Sequence, residues 1–310
     1  QFNSNGDTYI YMAIRRPNKP PEAATEVFAI DTGSGSSSGP TWDSQFPVDL
    51  AIVKAIGSGE PTWATRLTGA KYVKSNGSAS ESTESNYTWD HMDGWGIYEG
   101  SNQYSYMFKR TPGFVDVVAY NGTSSLQTLN HNLETTPDLI IVKRRNGTPG
   151  WVVSMLNYES TYLEDGAGFY TPGSWIDNLT ATTFRVNSWI GTGAGNSTYM
   201  AYLFGSLDGI SKVGSYNGYT GNAVDVNCGF TNGARFVLIK RRNGTTDWYL
   251  WDTVRGIASG DDPYFLLNSA AAQVTNTNYI NPLSTGFTVN ASAPAALNVT
   301  GSTYFFLAIA

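Results

Sequence analysis

The stretch Leu139-Ile140-Ile141-Val142-Lys143-Arg144-Arg145-Asn146-Gly147, followed by Trp151, occurs again as Phe236-Val237-Leu238-Ile239-Lys240-Arg241-Arg242-Asn243-Gly244, followed by Trp248. A weaker copy is Leu50-Ala51-Ile52-Val53-Lys54-Ala55-Ile56-Gly57, followed by Trp63. Four apolar residues in a row, bounded by turn signals, suit a strand buried on both faces. The Asn-Gly pair predicts a tight hairpin, since both residues tolerate positive φ. The Trp then opens the returning strand and covers the hairpin. One hairpin buries too little to stand alone, so each copy anchors its own sheet unit.

A second motif recurs around the first. Thr8–Ile14 alternates aromatic and aliphatic residues, and the pattern returns at Gln103–Lys109, Thr198–Phe204 and Thr303–Ile309, at spacings of 95, 95 and 105 residues. Whole strands recurring at that distance indicate tandem domains rather than a solenoid of small repeats. Each copy runs in one order: a short strand, the buried strand with its Trp, a variable polar middle, an alternating strand, and the aromatic strand. The alternating strand is Phe184-Arg185-Val186-Asn187 in the second copy and Phe287-Thr288-Val289-Asn290 in the third, with Trp95-Gly96-Ile97-Tyr98 as the counterpart in the first.

The expected architecture is therefore all-β: three β-sandwich repeats over 27–109, 114–205 and 211–310. Residues 1–26 hold the last strand of a preceding repeat and a Pro-rich linker. The linkers at Arg15–Thr25, Arg110–Gly113 and Gly205–Gly209 are short or proline-stiffened, which fixes neighbouring units relative to one another. Helix signals are scarce, and Asn268–Gln273 is the one stretch expected to make a turn or two of helix.

Composition limits function. Charged residues are 14%, aromatics 14% and net charge −6, which disfavours nucleic acid and anionic membrane as partners. One cysteine, Cys228, permits no intrachain disulfide, and no apolar run reaches membrane-spanning length. The Lys-Arg-Arg clusters read as solvated hairpin tips.

The repeat also tests single residues. Twelve positions before the strand-ending Lys stand Trp42, His131 and Cys228. A catalytic His or reactive thiol would not alternate with Trp, so this is a packing position. Asp90-His91-Met92-Asp93 lacks a second His or Cys nearby and reads as a turn rather than a metal site; Asp261-Asp262 reads likewise. Glu159, Glu164 and Asp165 lie in a variable middle where sequence sets no separation between carboxylates. No catalytic residue, cofactor or metal is assigned. Trp89 and Trp175 have no counterpart in other copies and are expected as exposed loop aromatics that touch a receptor or partner. Such contacts are expected within Lys71–Asp93, Tyr158–Leu179 and Ile257–Pro282, where the copies differ.

The arrangement Pro137-Asp138-Leu139-Ile140-Ile141-Val142-Lys143-Arg144-Arg145, then Trp, then Gly286-Phe287-Thr288-Val289-Asn290, then a closing Tyr strand, resembles tandem repeats in tail-fibre and related virion surface proteins of tailed bacteriophages, notably marine ones. Val237–Gly256 carries the fullest match, and the first copy departs from it where Lys54-Ala55-Ile56 replaces Lys-Arg-Arg. The resemblance implies a concanavalin-like or SPRY-like sandwich in a virion appendage. It further implies homotrimeric assembly and contact with other virion proteins and with a host surface glycan. It supplies no catalytic residues. Two alternatives stay open: a β-sandwich glycan hydrolase or depolymerase, and a non-viral cell-surface adhesin.

Overall fold

A computed structural model describes residues 20–35, 39–96, 102–156, 159–169, 175–189 and 191–310. The strand read at Thr8–Ile14, most of the linker after it, and Ile97-Tyr98 lie outside the described residues. Among those described there is no α-helix, only 3-10 turns at Ala24–Glu26 and Arg66–Thr68. Every strand pairing is antiparallel.

Three large sheets share one strand order. In the second, Val115–Asn121, Thr198–Phe204, Leu139–Arg144, Val152–Met155 and Glu159–Tyr162 lie side by side. The third repeats it as Ser211–Asn217, Thr303–Ile309, Phe236–Arg241, Tyr249–Asp252 and Phe265–Leu266. The first runs Phe28–Asp31, Gln103–Phe108, Leu50–Ala55, Thr62–Thr65 and Lys71–Lys74, with Ser82–Thr83 added at the edge. The aromatic strand lies second from the edge in each, between the opening strand and the apolar run, and pairs with both. A smaller sheet accompanies each copy. It has three strands in the second and third copies, and a two-residue pairing of Trp42–Asp43 with Gly94–Trp95 in the first.

The period-2 alternation of each strand separates two cores. Ile140, Val142, Tyr199 and Ala201 face the small sheet of their own copy, with Phe184 and Val186 opposite. The other parity, Leu139, Ile141, Tyr202 and Phe204, joins Leu50, Ile52, Tyr106 and Phe108 of the first sheet and Phe236, Leu238, Leu307 and Ile309 of the third in one shared core. That is why the apolar runs are uninterrupted: both faces are covered, one within the sandwich and one between sandwiches. Trp63 and Trp151 meet in this core at 5.3 Å between ring centroids. The linkers turn back tightly through Thr111–Val115 and Leu207–Ser211 bridges, and Phe114 and Ile210 join the shared core.

The Lys-Arg-Arg clusters are not solvated tips. Lys54, Lys143 and Lys240 have the parity of the shared core and are 2%, 0% and 1% exposed. Each ammonium bonds carbonyls of its own connection and of a neighbouring copy. Lys143 Nζ donates to Pro149 O and to Ser78 O, both at 2.8 Å. Lys240 Nζ donates to Gly244 O at 3.2 Å and to Gly166 O at 2.8 Å. Lys54 Nζ donates to Gly59 O at 2.5 Å and Ala271 O at 2.8 Å. A backbone bond follows at every junction: Glu81 N to Arg145 O, Phe169 N to Arg242 O, and Gln273 N to Ile56 O. Second holds first, third holds second, and first holds third, so the ring is closed. Arg145–Glu81 and Arg242–Glu159 ion pairs reinforce two junctions.

Two local expectations fail for the same reason. The Asn-Gly pairs do not make tight hairpins, since neither Asn146, Gly147, Asn243 nor Gly244 has positive φ. The connection is a longer loop wrapped over the lysine, while Asn146 pins it to the aromatic strand by accepting from Thr198 N at 3.1 Å. Asn268–Gln273 forms no helix, because its backbone is engaged by Lys54 and by Gly59 N, which donates to Ala270 O.

A shared core predicts one cooperative unfolding transition. Three resolved calorimetric transitions would show sandwiches that hold separately. The lysines also set a pH dependence. Burial lowers each from the ordinary 10.5 to about 8. Between those values the unfolded chain binds more protons than the folded one, so stability rises with pH. Above pH 10.0 the trend reverses, because burial pushes Tyr106, Tyr120 and Tyr216 well above that value and the unfolded phenols ionise first. The melting temperature should climb from pH 8 to 10, and climb less in Lys143→Met. A flat profile would contradict the burial of the charged lysines.

Candidate functional site

Trp42, His131 and Cys228 are all buried, as a packing position requires. The His131 ring is held between Thr180 O and Leu133 N, and burial pushes the Cys228 thiol up to about 12, which suppresses thiolate chemistry. His91 is half-exposed. Among the described residues no group of three or more His, Cys, Asp or Glu comes together as a metal ligand set. Asp262 is fully buried and its carboxylate accepts from Tyr279 N at 2.8 Å and Ile280 N at 2.5 Å, so it ties two distant segments together instead of forming an exposed turn. Glu159 is occupied by Arg242 across the junction.

Trp89 is not an exposed loop aromatic. It is 8% exposed, stacks on Trp95 at 4.6 Å and 21°, and its Nε1 donates to Gly69 O at 2.9 Å. With Trp42 on Trp95 at 4.8 Å, three indoles fill the sandwich core of the first copy, where the small sheet is reduced to two residues per strand. Indole area replaces the missing strand. Trp175 is half-buried and stacks face to face on Trp189, 4.5 Å apart and 9° from parallel, with Tyr162 5.4 Å from Trp175. The segments in which the copies differ also carry the junction atoms of Ser78, Gly166 and Ala271, so they are not free loops throughout.

The aromatic group borders a cleft of about 600 Å³ between the second copy's connection and the first copy's Ser78. Tyr162, Trp189, Glu164, Asp165, Arg144 and Gly150 line it. Glu164 Oε2 accepts from Trp151 N at 2.9 Å, and a Cβ on Gly150 would lie 1.9 Å from Oε1, so the carboxylate is pressed against bare backbone. Burial raises its pKa above the ordinary carboxylate value, opposed by backbone N–H groups and by Lys143. Trp189 is placed by Asn187, whose Oδ1 accepts from Trp189 N at 3.0 Å and from Thr192 Oγ1 at 3.1 Å. The indole lies over Gly191, where a Cβ would fall 1.8 Å from the ring.

Strand register places these residues against the third copy. Val152 faces Tyr162 as Tyr249 faces Leu266, so Tyr162 corresponds to Leu266 and Glu164 to Asn268. Asn268 caps Trp248 N as Glu164 caps Trp151 N, so that hydrogen bond does not require a carboxylate. Val186 and Val289 have equivalent partners, which puts Ser292 where Trp189 stands. Glu164 and Asp165 are noticeable in sequence without their geometry. Trp189 is not, because it looks like the end of a repeated strand, and only its departure from the repeat marks it.

The chain belongs to a family described as a domain of unknown function, DUF7483, whose model matches residues 68–310. The match starts inside the first sheet and takes in residues of all three. No curated protein matches the chain.

Replacing Trp89 by Ala should remove about 3–5 kcal/mol of stability in denaturant titration, as for other buried large aromatics. A loss below about 1 kcal/mol would mean that the indole is not packed as described.

Proposed function

We propose that this chain is a structural module of a bacteriophage virion appendage, a tail fibre or similar surface element, that contributes to host attachment without enzymatic activity. The observation that supports it best is the closed ring of junctions. Three sandwiches held by the same lysine and backbone contacts form a stiff body, as a surface appendage that bears load requires. The resemblance of the Lys-Arg-Arg and closing Tyr motifs to tail-fibre repeats supplies the virion setting. Loops set on such a scaffold can vary at little cost to the core. Homotrimeric assembly and contact with other virion proteins go with this reading.

A glycan hydrolase or depolymerase is the second reading, and the adjacent Glu164 and Asp165 at the cleft favour it. Incubation with host polysaccharide discriminates, since chain shortening would establish hydrolysis.

Gold-labelled antibody against the purified chain should decorate an appendage on intact particles of the parent phage in electron micrographs. Absence of label from intact particles, or label confined to cell surfaces, would overturn the virion assignment. A monomeric mass for the intact protein in light scattering would overturn the trimer.

A further inference from the structure

The cleft beside Trp189 is unlike the corresponding place in the third copy at three positions. Tyr162 stands for Leu266, Glu164 for Asn268 and Trp189 for Ser292. The change to Glu164 is not demanded by the scaffold, since Asn268 supports the same backbone N–H. All three face one cavity, whose volume of about 600 Å³ lies within the ~300–1,000 Å³ usual for small-ligand sites.

We infer that this cleft is a saccharide-binding site, taking a neutral pyranose ring of an oligosaccharide against Trp189 and Tyr162, with Glu164 and Asp165 accepting its hydroxyls. An indole and a phenol ring offer flat apolar faces that match the C–H face of a pyranose, and their few torsions lose little entropy on binding. The platform is pre-set: Trp175 stacks behind Trp189, and Asn187 and Gly191 fix the strand end below it. Glu164 and Asp165 are acceptors, while Arg144, which lines the same cleft, is a donor. Two carboxylates beside Arg144, with Lys143 behind, leave no excess of either sign. A hydroxyl-rich neutral ring therefore fits better than an anion such as a uronate or a phosphate. Arg144 in the connection and the junction at Ser78 place the site between the first and second copies, so it is assembled only when those two have docked.

Saccharide binding by the purified chain does not depend on the virion reading, and antibody labelling of particles tests that separately. The full chain is titrated with cellohexaose, chitohexaose and polygalacturonate, followed by calorimetry and by tryptophan fluorescence. At least one of the two neutral hexamers should bind with Kd of about 1 mM or tighter and shift the emission. Trp189→Ala should weaken it at least roughly tenfold, Trp189→Phe less, and Asp165→Asn severalfold with an unchanged melting temperature. Failure of both neutral hexamers to bind overturns the site. So does binding that is indifferent to Trp189→Phe and Asp165→Asn together, and tighter binding of polygalacturonate overturns the neutral class.

Discussion

An ammonium group buried in a three-way core organises this molecule. A charged lysine in an apolar interior is costly unless every proton finds an acceptor. Here the acceptors are main-chain carbonyls, and they come from two copies at once. Meeting the lysine's needs thus obliges its own connection to fold over it and obliges the next copy to dock. Hydrophobic burial brings the inner faces together without direction. The lysines make the approach specific, because slipping one sheet along another by a residue would strand the buried charge at that junction.

The part of the fold carried by side chains was legible in the sequence, and the part carried by backbone was not. Apolar runs, recurring Trp and closing Tyr strands show through because each position demands a residue type. The docking segments around Ser78, Gly166 and Ala271 do the same job with dissimilar sequences, since a carbonyl is present whatever the side chain. They therefore look like variable loops. The lysines misled for a related reason: a charge beside two arginines and an Asn-Gly pair has the composition of an exposed turn, and only the strand parity shared with Leu139 and Ile141 places it inside. Trp89 misled because the first copy's shrunken small sheet, which the indole replaces, leaves no period to read. Glu164 and Asp165 were visible as carboxylates, but their meeting with Trp189 depends on two chain segments more than twenty residues apart.

The first copy shows how one member of a ring can diverge. It lacks the arginine that pairs with a carboxylate at the other junctions, and Ile56 packs on the shared core instead. The third copy offers a buried polar group in return. Tyr106 Oη donates to Asp252 at 2.7 Å, and Arg255 Nε donates to the same carboxylate oxygen at 2.6 Å while lying over Phe265. One junction has exchanged a half-exposed ion pair for a buried network of Tyr106, Asp252 and Arg255. In a low-dielectric interior such hydrogen bonds are stronger than at the surface, and losing one partner costs correspondingly more.

Ring closure finally bears on how the polypeptide is made. Lys54 reaches Ala271 across 217 residues of chain, so the first sheet finds this neighbour only after the segment around Ala271 has left the ribosome. Until then Phe28, Tyr106 and Phe108 of the first sheet, which pack on Phe236 of the third, lack that cover. Contacts of such long range form slowly, and uncovered apolar strands in the meantime invite association with other nascent chains. A geometry that makes the finished body stiff thus transfers its risk to synthesis, where translation speed and chaperone supply decide the yield.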